Sequence, residues 1–145
     1  MALRWNPLTG KLDLVVTSGG SSGPSNQLCQ SFSCDASLAV NDWVYQDPTT
    51  DEKVLKTASN TEVEPTIGIV KSKPTDTTCE VVLLGIHTGL TLAQRGKFWL
   101  SDAGEETFSF PTSGTGRFVR RLGVYLGNDT VYVNPDLEGL CLDDG

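Results

Sequence analysis

The feature that most limits this chain is the coincidence of many β-branched side chains with frequent backbone breaks. Sixteen Thr, thirteen Val and three Ile stand against six Ala, and fifteen Gly and seven Pro recur at short intervals. A side chain branched at Cβ loses rotamer freedom in a helix but packs well on a pleated sheet, and Gly and Pro supply the dihedrals of tight turns. The expectation is an all-β protein of short strands. The windows Ser37 to Gln46 and Asp51 to Ala58 are the two places where the pattern leaves room for a short helix.

The 145 residues divide into four parts. Residues 1–17 place Leu3-Arg4-Trp5 and Leu12-Asp13-Leu14-Val15-Val16 on either side of Asn6-Pro7-Leu8-Thr9-Gly10, whose Pro and Gly sit where a turn needs them. This predicts a small hairpin or hooked strand, a unit too small to be stable in water without something to pack against. Residues 18–27 begin with Ser18-Gly19-Gly20-Ser21-Ser22-Gly23-Pro24-Ser25, a composition that buries nothing and reads either as a tether or as a surface loop. Residues 28–135 read as a β-rich body. Its strands are expected at Ala39 to Tyr45, Lys53 to Ala58, Thr66 to Lys71, Cys79 to Gly85, Lys97 to Leu100, Phe108 to Phe110, Phe118 to Leu126 and Thr130 to Val133. Some eight strands at this spacing imply a small β-sandwich or a barrel-like body. Residues 136–145 form an acidic tail, expected to be partly loose.

Charge and residue usage exclude several function classes. Eleven Lys plus Arg against eighteen Asp plus Glu give a net charge of −7, the wrong sign for a polyphosphate, so no nucleic acid partner is expected. No apolar run reaches the length of a membrane span, and no leader pattern opens the chain, so a soluble, non-secreted protein without a membrane partner is expected. His87 is the single histidine. It lacks a Gly-x-Ser-x-Gly elbow and reads as a hydrogen-bonded residue at a strand end before it reads as a catalytic base. Asp102, Glu105 and Glu106 place three carboxylates within five residues. Neighbours on a strand face opposite ways and no calcium-loop pattern is present, so a solvated turn is favoured over a glycosidase pair.

The spacing of Cys29, Cys34, Cys79 and Cys141 contains no Cys-x2-Cys pair, so neither structural zinc nor an obligatory disulfide is expected. Arg117, Arg120 and Arg121 form the one basic cluster; on a strand Arg120 faces away from the other two. Trp43, Tyr45, Trp99 and Tyr125 suit core packing first and a contact surface second. Phosphate-loop and dinucleotide fingerprints are absent, so no cofactor and no enzymatic activity are expected.

Two stretches carry a resemblance. Leu3-Arg4-Trp5-Asn6-Pro7-Leu8-Thr9-Gly10-Lys11-Leu12-Asp13-Leu14-Val15 before a Gly/Ser run resembles the start of small virion proteins of tailed bacteriophages. The succession Val81-Val82-Leu83-Leu84-Gly85-Ile86-His87-Thr88-Gly89-Leu90, Gly96-Lys97-Phe98-Trp99-Leu100-Ser101-Asp102-Ala103-Gly104, Pro111-Thr112-Ser113-Gly114 and Arg121-Leu122-Gly123-Val124 is similar to the β-rich module of phage capsid decoration (cement) proteins and head fibres. The resemblance implies a virion protein on the capsid exterior, assembled in the host bacterial cytoplasm with reduced thiols. It also implies the major capsid protein and a homotrimer of the chain itself as partners. On that basis Leu3, Trp5, Leu8, Leu12 and Leu14 are the expected capsid-binding arm, and Phe98, Trp99, Phe108, Phe110 and Phe118 the candidate trimer surface. The alternative is a tail-fibre or receptor-binding module recognising a host glycan or protein.

Overall fold

The structure, a computed structural model, describes the backbone of residues 2–6, 11–15, 26–57, 64–110, 117–137 and 140–142, and the side chains of 26–57, 64–110 and 119–137. Every regular element among the described residues is a strand. In chain order they are β1 (Ala2–Asn6), β2 (Lys11–Val15), β3 (Gln27–Cys34), β4 (Trp43–Gln46), β5 (Lys53–Lys56), β6 (Thr66–Thr75), β7 (Thr78–Thr88), β8 (Gly96–Leu100), β9 (Glu106–Thr107), β10 (Arg117–Val119), β11 (Arg121–Gly127), β12 (Thr130–Val133) and β13 (Leu140–Leu142). The all-β expectation holds, and the body is barrel-like.

β3, β5, β4, β6 and β7 pair in that order, and a further ladder between β7 and β3 closes them into a five-strand barrel. Only the short β3–β5 ladder is parallel; the other four are antiparallel. Closure removes the free edges that a small open sheet would expose. β12, β11, β8 and β9 then extend the sheet from β7. The junction is at Gly85, which pairs with Gln27 of β3 on one side and with Val133 of β12 on the other. β12 therefore continues the edge of β7 that β6 occupies further back.

Side chains alternate between the faces of a strand, and here both faces are buried. Val44, Val70 and Val81 join Phe32, Cys34, Leu38, Val54 and Cys79 inside the barrel. Their chain neighbours Trp43, Ile69 and Val82 turn the other way, onto Phe98, Leu100, Leu122, Tyr125, Val131 and Val133 of the extension. β4, β6 and β7 thus form a wall shared by two cores. A strand buried on both faces reads as consecutive apolar residues, which accounts for Val81-Val82. Each fully buried Val or Ile on this wall contributes roughly 1.5–3 kcal/mol.

Gly68 sits inside the wall, where a Cβ would run into the carbonyl oxygen of Val82 and lie 2.7 Å from Cγ1 of Val81. No other residue fits there without moving backbone. The β11–β12 connection is a two-residue loop in which Asn128 and Asp129 have φ of 51° and 55°. Two consecutive left-handed residues match the twist of the flanking strands, and Asn and Asp tolerate that conformation.

Several expected boundaries move. Gln27–Cys34 is a strand that the sequence pattern did not single out. Neither helix window is helical: Ser37 to Asp42 is loop and turn before β4, and Asp51 to Thr57 contains β5. The strand expected at Phe108 to Phe110 lies two residues earlier, at Glu106–Thr107, because Glu106 pairs with Leu100 and the chain bends away after Thr107. The long strand expected over Phe118 to Leu126 breaks at Arg120, whose carbonyl accepts from the amide of Leu100 at 2.9 Å. Within the acidic tail, Leu140–Leu142 pairs with Arg117–Val119.

At the N-terminus β1 and β2 form an antiparallel sheet of their own, with Leu3 opposite Leu14 and Trp5 opposite Leu12. Leu8 and the Ser/Gly/Pro stretch lie outside the described residues.

Gly68→Ala is expected to destabilise the fold by about 1–3 kcal/mol, the usual effect of overpacking a filled core. Urea unfolding should show a lower midpoint at an unchanged slope; an unchanged midpoint would mean that the wall tolerates the extra methyl group.

Candidate functional site

The barrel differs at its two ends. At the end where Cys34 lies, Leu38 from the following loop packs into the interior, 6% exposed. That loop is held by Lys73, whose ammonium donates to the carbonyls of Asp35, Ala36 and Leu38 at 3.2, 3.1 and 2.7 Å, and by the 2.8 Å ion pair between Lys53 and Asp35. The opposite end is an open hollow of about 540 Å³.

The hollow follows from the register of β3. Leu28, Gln30, Phe32 and Cys34 alternate onto one face, and along that face exposure falls from 58% at Leu28 to 4% at Cys34. The row therefore runs from the open mouth down into the core. Opposite it, Leu28 pairs with Leu84 while Cys29 pairs with Val82, leaving Leu83 as an extra residue on β7. A bulge of this kind re-aims side chains, and both Leu83 and Leu84 line the mouth. Gln46, Ile67, Asn134, Pro135 and Leu137 complete the wall.

Among the described residues no charged side chain lines the mouth; the polar groups there are the carboxamides of Gln30, Gln46 and Asn134. A phosphate or carboxylate would lose its hydration there without a cation in return, so the mouth suits an apolar segment with a few main-chain polar groups.

The rim is rigid where the chain joins it. Asn26 accepts from the amide of Ile86 at 3.0 Å, and the Gln27 side-chain amide donates to the carbonyl of Ile86 at 2.6 Å. Gly85 has φ +115°, and a Cβ on it would strike the carbonyl oxygen of Asn26. Glycine at this position allows the first residues of β3 to lie against β7.

A second, smaller hollow of about 310 Å³ lies on the extension, lined by Lys97, Trp99, Phe110, Val119, Arg121 and Asp136. Trp99 and Phe110 meet edge to face, with ring centroids 5.5 Å apart at 85°.

The residues singled out in the sequence are distributed as follows. Phe98 is fully buried against Trp43 and Phe108 at 5.8 and 6.2 Å, so it belongs to the core and has no surface to offer a second copy. Phe108 is half-buried over the same core, and Trp99 and Phe110 are the pair in the smaller hollow. Phe118 falls on β10, outside the described side chains, as do the side chains of Leu3, Trp5, Leu12 and Leu14. Trp43 and Tyr125 are core residues.

The acidic trio splits. Glu105 is exposed and bridges to Lys56 at 2.8 Å, and Lys56 also holds Asp42 at 3.0 Å. Glu106 turns inward and accepts from the Trp43 indole at 2.6 Å. Burial raises the pKa of Glu106 above the ordinary carboxylate value, against the opposing effect of that hydrogen bond. The two neighbouring carboxylates serve different partners, as alternation along the chain requires. Cys34 and Cys79 are buried thiols inside the barrel, and burial beside Cys34 pushes the Cys79 thiol up to about 12, away from thiolate chemistry. Among the described residues no three His, Cys, Asp or Glu gather as metal ligands.

His87 is 3% exposed at the end of β7. Its Nε2 lies 2.8 Å from Oδ1 of Asn41, whose Nδ2 donates to the carbonyl of Gly89 at 3.0 Å. That second bond fixes Oδ1 as the acceptor, so Nε2 of His87 carries the proton. The mouth itself escaped sequence reasoning, because Leu28 and Leu84 become neighbours only through the β3–β7 ladder; the one available signal was an apolar run longer than a single core needs.

No family model, no curated protein and no solved structure matches the chain.

Burial, with a smaller contribution from Lys71, holds the His87 pKa below its ordinary value of 6.5. The unfolded chain then binds the proton more readily, so the stabilisation is complete above pH 6.5 and is lost as pH falls through that value toward the lower folded pKa. Melting temperatures across this window should fall with acid in the wild type and less steeply in His87→Gln. Parallel curves would rule out His87 as the source.

Proposed function

We propose that the chain is a virion structural protein, a capsid decoration (cement) protein of a tailed bacteriophage that binds the outer surface of the major capsid protein lattice and stabilises the head. The observation that carries this reading is the β1–β2 register. Directly opposed residues share a face of an antiparallel ladder, so Leu3, Leu14, Trp5 and Leu12 fall on one face, and Ala2, Val15, Arg4, Asp13, Asn6 and Lys11 on the other. A two-stranded sheet with one apolar face needs a partner, and a Ser/Gly/Pro stretch separates it from a barrel closed on itself. An attached, self-contained body with a separate gripping element is the arrangement a decoration protein needs.

In this reading the hairpin seats Trp5, Leu12 and Leu14 on the shell, and copies associate as homotrimers through the surface that includes Trp99 and Phe110. Three arms on one trimer bind with avidity, because each bound arm raises the effective concentration of the next. Assembly takes place in the host bacterial cytoplasm, and the mature location is the capsid exterior. The second reading, a tail-fibre or receptor-binding module, draws its support from the Trp99–Phe110 pair with Lys97 and Arg121 beside it, a combination suited to stacking on a sugar ring.

A chain beginning at Ser25 is expected to fold yet to bind expanded capsids at least about a thousandfold more weakly than the full chain, since each large apolar side chain contributes roughly 1.5–3 kcal/mol. Co-sedimentation with capsids measures this, and equal binding by the truncated chain would refute the anchoring role. Particle copy number separates the two readings: hundreds of copies fit a cement protein, tens fit a fibre. Sedimentation of the purified protein as a monomer at micromolar concentration would remove the trimer.

A further inference from the structure

The mouth of the barrel leaves an apolar surface open, the hairpin register gathers Leu3, Trp5, Leu12 and Leu14 on one face, and the same chain connects the two. Of the seven large hydrophobic side chains that stand exposed among the described residues, Leu28, Leu84 and Leu137 all line the mouth. A concentration of this kind marks an interaction surface. We infer that in the free protein the β1–β2 hairpin docks its Leu3, Trp5, Leu12 and Leu14 face over the mouth of its own barrel.

The chemistry of the two surfaces agrees. Among the described residues the mouth has no charged lining residue, and in the hairpin register Arg4, Lys11 and Asp13 all fall on the opposite face from the apolar four. Docking therefore strands none of these charges, and the carboxamides of Gln30, Gln46 and Asn134 offer partners to the outer main-chain groups of a hairpin edge.

The connection selects the occupant. Ten residues lie between Val15 and Asn26, and a stretch of that length and Gly/Ser-rich composition spans about 16–19 Å as a random coil. Its far end is pinned at the rim itself, because Asn26 and Gln27 are hydrogen-bonded to Ile86 and Leu28 is already a lining residue. A short Gly/Ser-rich tether anchored at the rim gives a local concentration on the order of millimolar, which a second copy at micromolar concentration does not approach. The hairpin of the same chain is thus the favoured occupant over that of a neighbour. The inference does not depend on the capsid reading. Where both hold, the lattice and the mouth compete for one face of the hairpin, and the arm stays covered until a shell is present.

Limited digestion of the full-length protein with trypsin tests the docking, because Arg4 and Lys11 are the cleavage points within the hairpin and cutting tracks the undocked population. Leu84→Gln and, independently, Leu137→Gln alter exposed positions at the mouth and add no cleavage point. Cutting at Arg4 and Lys11 is expected to be about tenfold faster in each variant than in the wild type, with melting temperatures close to the wild-type value. Protection in the wild type should persist over about a hundredfold dilution, as an intramolecular contact requires. Equal cutting rates in the wild type and both variants overturn the inference. So does protection that disappears on dilution, which would assign the mouth to the hairpin of a second copy. No capsid enters the assay, so its failure leaves the anchoring proposal standing, and failure of capsid binding leaves the docking standing.

Discussion

Everything in this fold leans on one wall of backbone that is dry on both sides. Trp43 and Val44, Ile69 and Val70, and Val82 and Val81 are chain neighbours that pack into different cores, so each of β4, β6 and β7 is held by two sets of contacts at once. Main-chain groups in such a wall have no access to water, and ladders on both sides of β6 and β7 satisfy them. The barrel and its extension are consequently a single cooperative structure. Neither core could be loosened without exposing the back of the other.

The wall also explains the uneven distribution of apolar surface. Two cores consume most of the large hydrophobic side chains among the described residues, and closure of the barrel is achieved with five short strands. Leu38 fills one end. The other end is left with the upper part of the β3 row and the bulged Leu83–Leu84 step, which no described element covers.

The strand content was legible in the sequence because it rests on local chemistry: β-branched runs, Gly and Pro spacing, and the Asn128-Asp129 turn residues that a two-residue loop demands. Thr130–Val133 and Gly96–Leu100 lie where those signals place them. Gln27–Cys34 did not stand out, since its Gln and Ser residues continue the polar character of the preceding stretch and its apolar side is only half buried. The aromatic positions were legible as a class but not as a destination. Phe98 and Trp99 are adjacent, and only the pairing of β8 with β11 decides that Phe98 enters the core and Trp99 stays near the surface. The mouth was hidden for the same reason, as a property of long-range register and not of any segment.

The hydrogen bonds of Asn26 and Gln27 to Ile86 have a mechanical meaning as well. Whatever the N-terminal segment holds, tension on it arrives at this point and is directed along β3, whose seven paired positions from Gln27 to Ser33 run antiparallel to β7. Load along a strand is shared by the whole ladder at once, whereas load across it opens one rung at a time. Because β7 is also the strand that joins the barrel to its extension, a pull would be spread into both halves of the molecule, and the barrel would act as a shear-loaded rivet head that resists extraction as one piece.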